Sequence, residues 1–242
     1  MRAPTIGTNP VARIRTTAVR DGTADFRHDR RNVSAQARHY GFARRSGTAL
    51  PPRCYCRPDA DAPTEIWPAL VAAVTDLGGN ITGAHRTWLD PMGAGKAPID
   101  TPRRAMGHLL GHGVRLGVAT DVMAAGEGIE TMLSVRSVLR DLPMVAALSA
   151  NHLATILFGV TLRQLYVVCD NDPAGDLAAA TLPDRAQAAG IEALTLSPTL
   201  GDFNEDLRRL GVDHLRTALR VQLAPQDVPR FLRSTDEAGT GR

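Results

Sequence analysis

Leu165-Tyr-Val-Val-Cys-Asp-Asn-Asp-Pro-Ala-Gly-Asp176 decides how this chain is read. Its first five residues are apolar, with two valines and a tyrosine, as suits a strand buried on both faces of a parallel sheet. Asp170 and Asp172 fall at the carboxyl end of that strand. Pro173 favours a first helical turn and Leu177 to Ala180 continue in good helix formers, so the acids occupy a strand-to-helix crossover, where open α/β sheets place ligands. Two carboxylates held this close repel unless a proton or cation lies between them, and oxygen-only ligands of this kind suit Mg²⁺ or Mn²⁺. The same residues also allow a plainer reading, with Asp172 capping the next helix and Asp170 a solvated loop acid.

Outward from this stretch the chain alternates. Asp121 to Ala125 reads as a strand, Ile129 to Leu139 as a helix, Met144 to Leu148 as a strand, and Asn151 to Phe158 as a helix begun by an Asn cap. After the strand at Leu165 come a helix from Ala174 to Ala189, which Pro183 kinks or splits and Gly190 stops, and a strand from Ile191 to Leu196. Phe203 to Leu210 and Val212 to Leu223 read as carboxyl-terminal helices. A β-α-β-α-β-α-β order implies a parallel sheet flanked by helices.

In such a sheet all strand ends of one polarity lie on one side, so acids distant in sequence converge. Three clusters are placed so that they can do so here: Glu127 between Gly126 and Gly128, with Glu130 beyond; Asp170 with Asp172; and Gly201-Asp202-Phe203-Asn204-Glu205-Asp206. A glutamate able to act as general acid or base beside carboxylates able to hold a divalent cation is equipment for phosphoryl transfer. Glu130 is equally explained as an acid favouring a helix amino terminus. No G-x-G-x-x-G follows any strand, which makes a small-molecule Rossmann enzyme the least favoured reading.

Upstream the texture differs. Residues 1 to 50 are rich in Arg, Thr, Ser, Ala and Gly with no sustained period, and are expected to be a disordered basic leader, a basic arm on nucleic acid, or the remnant of a shifted reading frame. Residues 51 to 116 form a small β-containing subdomain. Within it Ala69 to Thr75, the turn Leu77-Gly78-Gly79-Asn80 and Ile81 to Leu89 read as a β-hairpin. Gly93-Ala94-Gly95-Lys96 is not a phosphate loop, because Asp90 stands where its first Gly belongs and Ala97 where Ser or Thr would bind magnesium. Lys96, Arg86, Arg103 and Arg104 either line a nucleic-acid path or are solvated surface charges. His108 and His112, spaced i, i+4, lack a third metal ligand nearby. Residues 224 to 242 read as a tail.

Composition is consistent with this division. Of the 242 residues 43% are hydrophobic and only 4% aromatic, which favours a helix-rich α/β protein over a β-sandwich. The net charge of +3 is concentrated in the first 60 residues and in Arg103 to Arg115, pointing to a polyanionic partner. There is no apolar run long enough for a membrane span and no secretory h-region. Cys54, Cys56 and Cys169 form neither a disulfide framework nor a zinc site, so a reduced, cytoplasmic setting is expected.

The motifs, in order, resemble the Toprim domain shared by bacterial primases, topoisomerases, OLD-type nucleases and recombination-repair proteins. Glu127-Gly128 after one strand and Asp170-x-Asp172-Pro-Ala-Gly after another carry the likeness. EGIETMLS (127–134), LSANHL (148–153), DNDPAGD (170–176) and GDFNEDL (201–207) are most similar to the Toprim region of phage- and plasmid-type primases and primase-helicases of mobile elements. The resemblance spans about Trp67 to Leu223. It implies a Rossmann-like Toprim fold over 117 to 223, with Glu127 as acid/base residue and Asp170 and Asp172 as Mg²⁺ ligands. It further implies Asp202 as a metal or substrate contact, and Asn171 and Gly175 as nucleotide contacts. The function implied is primer synthesis on single-stranded DNA from nucleoside triphosphates, in company with a replicative helicase. Beyond Cys54 and Cys56 no zinc module is present, and no Walker motif follows, so the chain is expected to be a catalytic-core fragment. An OLD-type nuclease and a non-catalytic nucleic-acid-binding module are the alternative readings.

Overall fold

A computed structural model describes residues 48–57, 61–93, 95–171 and 173–232, with the backbone alone for 173–180. The expected leader up to residue 47 and Asp172 lie outside the described residues. Two compact units result: one takes in the described residues up to Val74 with Asn80–Leu109, the other Thr75–Gly79 with those from Leu110 onward.

The first unit is built of β1 (Thr48–Ala49), β2 (Cys54–Cys56), β3 (Glu65–Trp67), β4 (Ala69–Thr75), β5 (Ile81–Trp88) and β6 (Arg103–Gly107). A four-stranded sheet runs in the order β1-β4-β5-β6, and β2 and β3 form a separate antiparallel ribbon. The expected hairpin of residues 69–75 and 81–89 is β4 with β5, closed through Gly79 at φ 80°. The leader was expected to reach residue 50. Thr48 and Ala49 instead pair with Ala72 and Val71, because β4 is Ala- and Val-rich and has an edge to fill.

The second unit holds a mixed five-stranded sheet of β7 (Val114–Leu116), β8 (Val122–Gly126), β9 (Met144–Ala146), β10 (Gln164–Val168) and β11 (Glu192–Leu196). The order is β11-β10-β8-β9-β7, with β8 to β11 mutually parallel and β7 antiparallel against β9. Sequence reading left β7 in the upstream subdomain. Its pairing of Val114 with Ala146 and Leu116 with Met144 places it in this sheet, with both valine and leucine wholly buried. Residues 108–112, shortly before it, are turn and coil with Gly111 at φ 77°, so the i, i+4 spacing of His108 and His112 does not put them on one helix face.

Helices α1 (Ile129–Val138), α2 (Ala150–Ala154), α3 (Pro173–Ala188), α4 (Phe203–Arg209), α5 (Val212–Gln222) and α6 (Val228–Phe231) complete the unit. On one face of the sheet, Met123, Ala125, Val145, Leu165 and Val167 meet Leu153, Ile156, Leu182 and Ala186 of the α2–α3 layer. α1 contacts β8, β9, α4 and α5 and so belongs to the other face. Alternation along each strand divides the side chains between these two layers.

Three local expectations are corrected. The second helix is capped by Ser149, whose hydroxyl accepts from His152 N–H at 3.2 Å, not by Asn151. α3 is not split at Pro183: the helix continues from Pro173 to Ala188, with Leu182 and Ala186 buried on either side of the proline. The stretch from residue 224 is not a loose tail as far as Leu232. Asp227 is buried there and accepts Gln164 Nε2–H and the Tyr166 hydroxyl, each at 2.6 Å, while the Tyr166 oxygen accepts Ala224 N–H at 3.0 Å. Arg230 adds a two-pronged ion pair to Asp121 at 2.7 and 2.6 Å. The carboxyl-terminal segment is thereby fastened to β10, the strand that leads to Asp170.

Candidate functional site

The chain reverses its direction of strand addition between β8 and β10, the two neighbours at the centre of the parallel sheet. β8 is followed spatially by β9 on one side, and β10 by β11 on the other. The helices after them leave on opposite faces, α1 on one and α3 on the other. A crevice therefore opens beyond the carboxyl ends of β8 and β10, the topological switch point at which α/β sheets hold ligands. Gly126 and Val168 are register partners, so Glu127 and Asp170 emerge from adjacent strand ends. Both side chains are half-buried.

Glu127 is set by close packing beneath it. A Cβ on Gly126 would lie 2.5 Å from Met132 Sδ and 3.1 Å from Val168 Cβ, so only glycine lets α1 approach the strand this tightly. The need is for space: neither Gly126 nor Gly128 adopts a positive φ. The Glu127 carbonyl accepts Leu148 N–H at 2.9 Å, and Leu148, at φ 79°, is the one non-glycine among the described residues in the left-handed region. Such strain is held where surrounding structure dictates it, often beside functional groups. Nothing in the sequence LSANHL (148–153) signals that Leu148 supports Glu127, since no residue type announces a strained leucine.

Asp170 is touched from the first turn of α1. The Thr131 hydroxyl, almost fully buried, donates to Asp170 Oδ1 at 3.4 Å. Asn171 turns its amide away, donating to the carbonyls of Pro198 at 3.3 Å and Leu200 at 2.5 Å, while its N–H donates to Gly201 at 2.8 Å. The structure thus draws the third acidic cluster against the second by way of Asn171.

Within that third cluster the acids are engaged in building the loop. Asp202 caps α4 by accepting Glu205 N–H, and Glu205 accepts Gly201 N–H at 3.0 Å and pairs with Arg209 at 2.7 Å. The Arg209 guanidinium holds the Glu205 carboxyl below its usual range. Asp206, wholly buried, accepts Thr199 N–H and Leu200 N–H, both at 2.8 Å. An acid followed three residues later by Glu is a capping signature, and it was the available sequence signal for the Asp202 cap.

The remaining expected residues lie elsewhere. Gly175 is the third residue of α3. In the first unit Arg86 and Arg104 are cross-strand partners on β5 and β6, and Arg103 faces Thr87 one step on. Arg86 lies over the Trp88 ring at 5.0 Å, and Lys96 is exposed at a bridge to Leu89. Among the described residues no three His, Cys, Asp or Glu side chains group closely enough to hold a metal. The donors that are described at the crevice, two half-buried carboxylates, are hard oxygen ligands and fit Mg²⁺ or Mn²⁺ in chemistry. Among the same residues no helix is long and apolar enough to cross a membrane.

Comparison with known proteins agrees with this topology. Residues 122–213 match the family described as Toprim domain, and residues 34–116 match a domain of unknown function (DUF7146). No curated protein sequence matches the chain. Among solved structures, the primase fragment of the bacteriophage T7 primase-helicase protein is similar at 14% identity and TM-score 0.50, over 74% of this chain and 70% of that one. A DNA primase domain from Pseudomonas aeruginosa is similar at 14% identity and TM-score 0.52, over 78% and 71%. The RNA polymerase domain of Mycobacterium tuberculosis primase DnaG, in complex with a double-stranded DNA oligomer bearing a 6-nucleotide overhang, gives 14% identity and TM-score 0.53, over 89% and 81%. At such identity these likenesses establish the fold.

Proposed function

Residues 122–213 form a Toprim domain, and from that premise we propose that the chain is a primase-like nucleotidyltransferase, joining nucleoside triphosphates into a primer on single-stranded DNA. The observation that carries the reading is the emergence of Glu127 and Asp170 from adjacent strand ends at the switch point of the sheet. Asp170 and Asp172 would hold Mg²⁺ or Mn²⁺, which when bound neutralises charge developing on the transferred phosphoryl group. Asp202 Oδ1 accepts the Glu205 N–H of its helix cap, and Asp202 would be a further contact for that ion or for the substrate.

The chain's own groups do the rest. Glu127, half-buried at the crevice, accepts the proton of the attacking 3′-hydroxyl as the new bond to the α-phosphorus forms and pyrophosphate departs. Thr131 orients Asp170, and Leu148 holds the Glu127 backbone. Arg86, Lys96, Arg103 and Arg104 contribute positive charge that attracts the template phosphates. A cytoplasmic setting and a helicase partner belong to the same proposal.

The test is primer synthesis on single-stranded DNA with ribonucleotides and Mg²⁺ or Mn²⁺. Native chain should yield primers, and Asp170→Ala with Asp172→Ala should reduce the yield by a factor on the order of 10²–10⁴. Equal activity in both would overturn the mechanism. Labelled DNA supplied without nucleotides separates the nuclease alternative, which alone would give product.

A further inference from the structure

The ribbon of β2 and β3 carries a pattern that the acid site leaves unused. Along Arg53-Cys-Tyr-Cys-Arg57 the exposure alternates: Arg53, Tyr55 and Arg57 are exposed, Cys54 is half-buried and Cys56 is buried. Alternate residues of a strand share a face, so the outward face reads Arg-Tyr-Arg. Across the ribbon Tyr55 pairs with Ile66, and the two are 62% and 42% exposed.

The inward face accounts for the other residues. Cys56 packs with Ala69, Trp88 and Ala97, and Cys54 and Trp67 lie against that cluster. Glu65, directly opposite Cys56, turns inward as well, and its carboxylate accepts the Trp67 indole N–H at 2.7 Å. The outward face of the two paired strands is left with an aromatic ring, an aliphatic neighbour and flanking guanidinium groups, and with no carboxylate. Arg104 Nη1 donates to the Arg57 carbonyl at 2.9 Å, tying this end of the ribbon to β6.

We propose that this face binds an unpaired nucleotide of a single-stranded nucleic acid, with the base stacked on Tyr55 against Ile66 and the neighbouring phosphates on Arg53 and Arg57. Ring and guanidinium positions about 6.8 Å apart along one strand suit a ligand that alternates flat apolar base and anionic phosphate. Positive charge on both sides of the ring, with no acid on the outward face of the paired strands, favours a polyanion over an apolar protein surface. The proposal rests on the reading of this chain as a nucleic-acid enzyme, and the experiment separates the two.

Binding of fluorescein-labelled oligothymidylate, and of a duplex of equal length, is measured by anisotropy for the full chain in chelator. Tyr55→Ala should weaken single-strand binding about tenfold without changing its salt dependence, and Tyr55→Trp should restore it, while duplex binding is unaffected. Arg53→Gln with Arg57→Gln should lower the salt slope by about 1.4. Because Tyr55 is exposed, unchanged circular dichroism will confirm that its variants fold. Binding by Tyr55→Ala as tight as native, or no single-strand binding by the native chain, would overturn the proposal. Asp170→Asn in the primer assay reports the active-site reading separately: its inactivity beside an inert Tyr55→Ala removes the ribbon site alone.

Discussion

The Thr131 hydroxyl donates to Asp170 Oδ1 at 3.4 Å, linking the helix that follows β8 to the acid that follows β10. A residue in the first turn of α1 thus orients the carboxylate at the end of the neighbouring strand. Thr131→Val keeps the shape and removes the donor. Metal affinity or primer yield should fall about tenfold, as is usual when a partner of a metal-binding carboxylate is lost, with stability lowered by about 1 kcal/mol or less. Manganese titration and urea unfolding check the two halves of this expectation.

Gly126→Ala should cost about 1–3 kcal/mol, because the new methyl meets both Met132 Sδ and Val168. Shortening the flexible partner, with Met132→Ala, should recover only the part of the cost that lies on its side, since the Val168 carbonyl stands 3.2 Å away and is backbone. A double-mutant cycle in urea measures the coupling.

Asn171→Ala removes the amide that braces the carbonyls of Pro198 and Leu200. A stability loss of about 1 kcal/mol is expected. The local effect should be larger: hydrogen exchange at Thr199 and Leu200, whose N–H groups are held by Asp206, should accelerate ahead of the strands.

Burial, and then donation to Asp227, raise the Tyr166 phenol above its ordinary value. A raised acid binds its proton more tightly in the folded state, so the stability it contributes is complete below pH about 10 and is lost as pH rises toward the folded value. Tyr166→Phe should be less stable by about 1–3 kcal/mol at pH 7, leaving Asp227 and the Ala224 N–H each short of a partner. The gap between native and variant should narrow above pH 10. Urea unfolding at neutral and alkaline pH measures it.

The parallel strands were legible because their apolar runs end abruptly in Glu127 and Asp170, and strand polarity alone brings those ends together. β7 was not, since a buried strand three residues long, with Arg115 between Val114 and Leu116, has no period to detect. That α3 continues through Pro183 was not legible either, since the proline is local to the sequence whereas the core contacts of Leu182 and Ala186 around it are not. Asp202 and Asp206 look alike in sequence, and only hydrogen bonding distinguishes a helix cap from a buried loop brace. The roles of Thr131 and Leu148 depend on contacts between segments well separated in sequence, which no local pattern encodes.

In the proposed mechanism Asp170 and Asp172 hold one divalent cation, with Glu127 beside it as the proton acceptor. Anomalous diffraction from crystals soaked in Mn²⁺ tests it most directly. An anomalous peak is expected beyond the carboxyl ends of β8 and β10, within coordinating distance of the Asp170 carboxylate and absent in Asp170→Asn. Well-ordered acids pointing apart, with no manganese between them at saturating concentration, would contradict it.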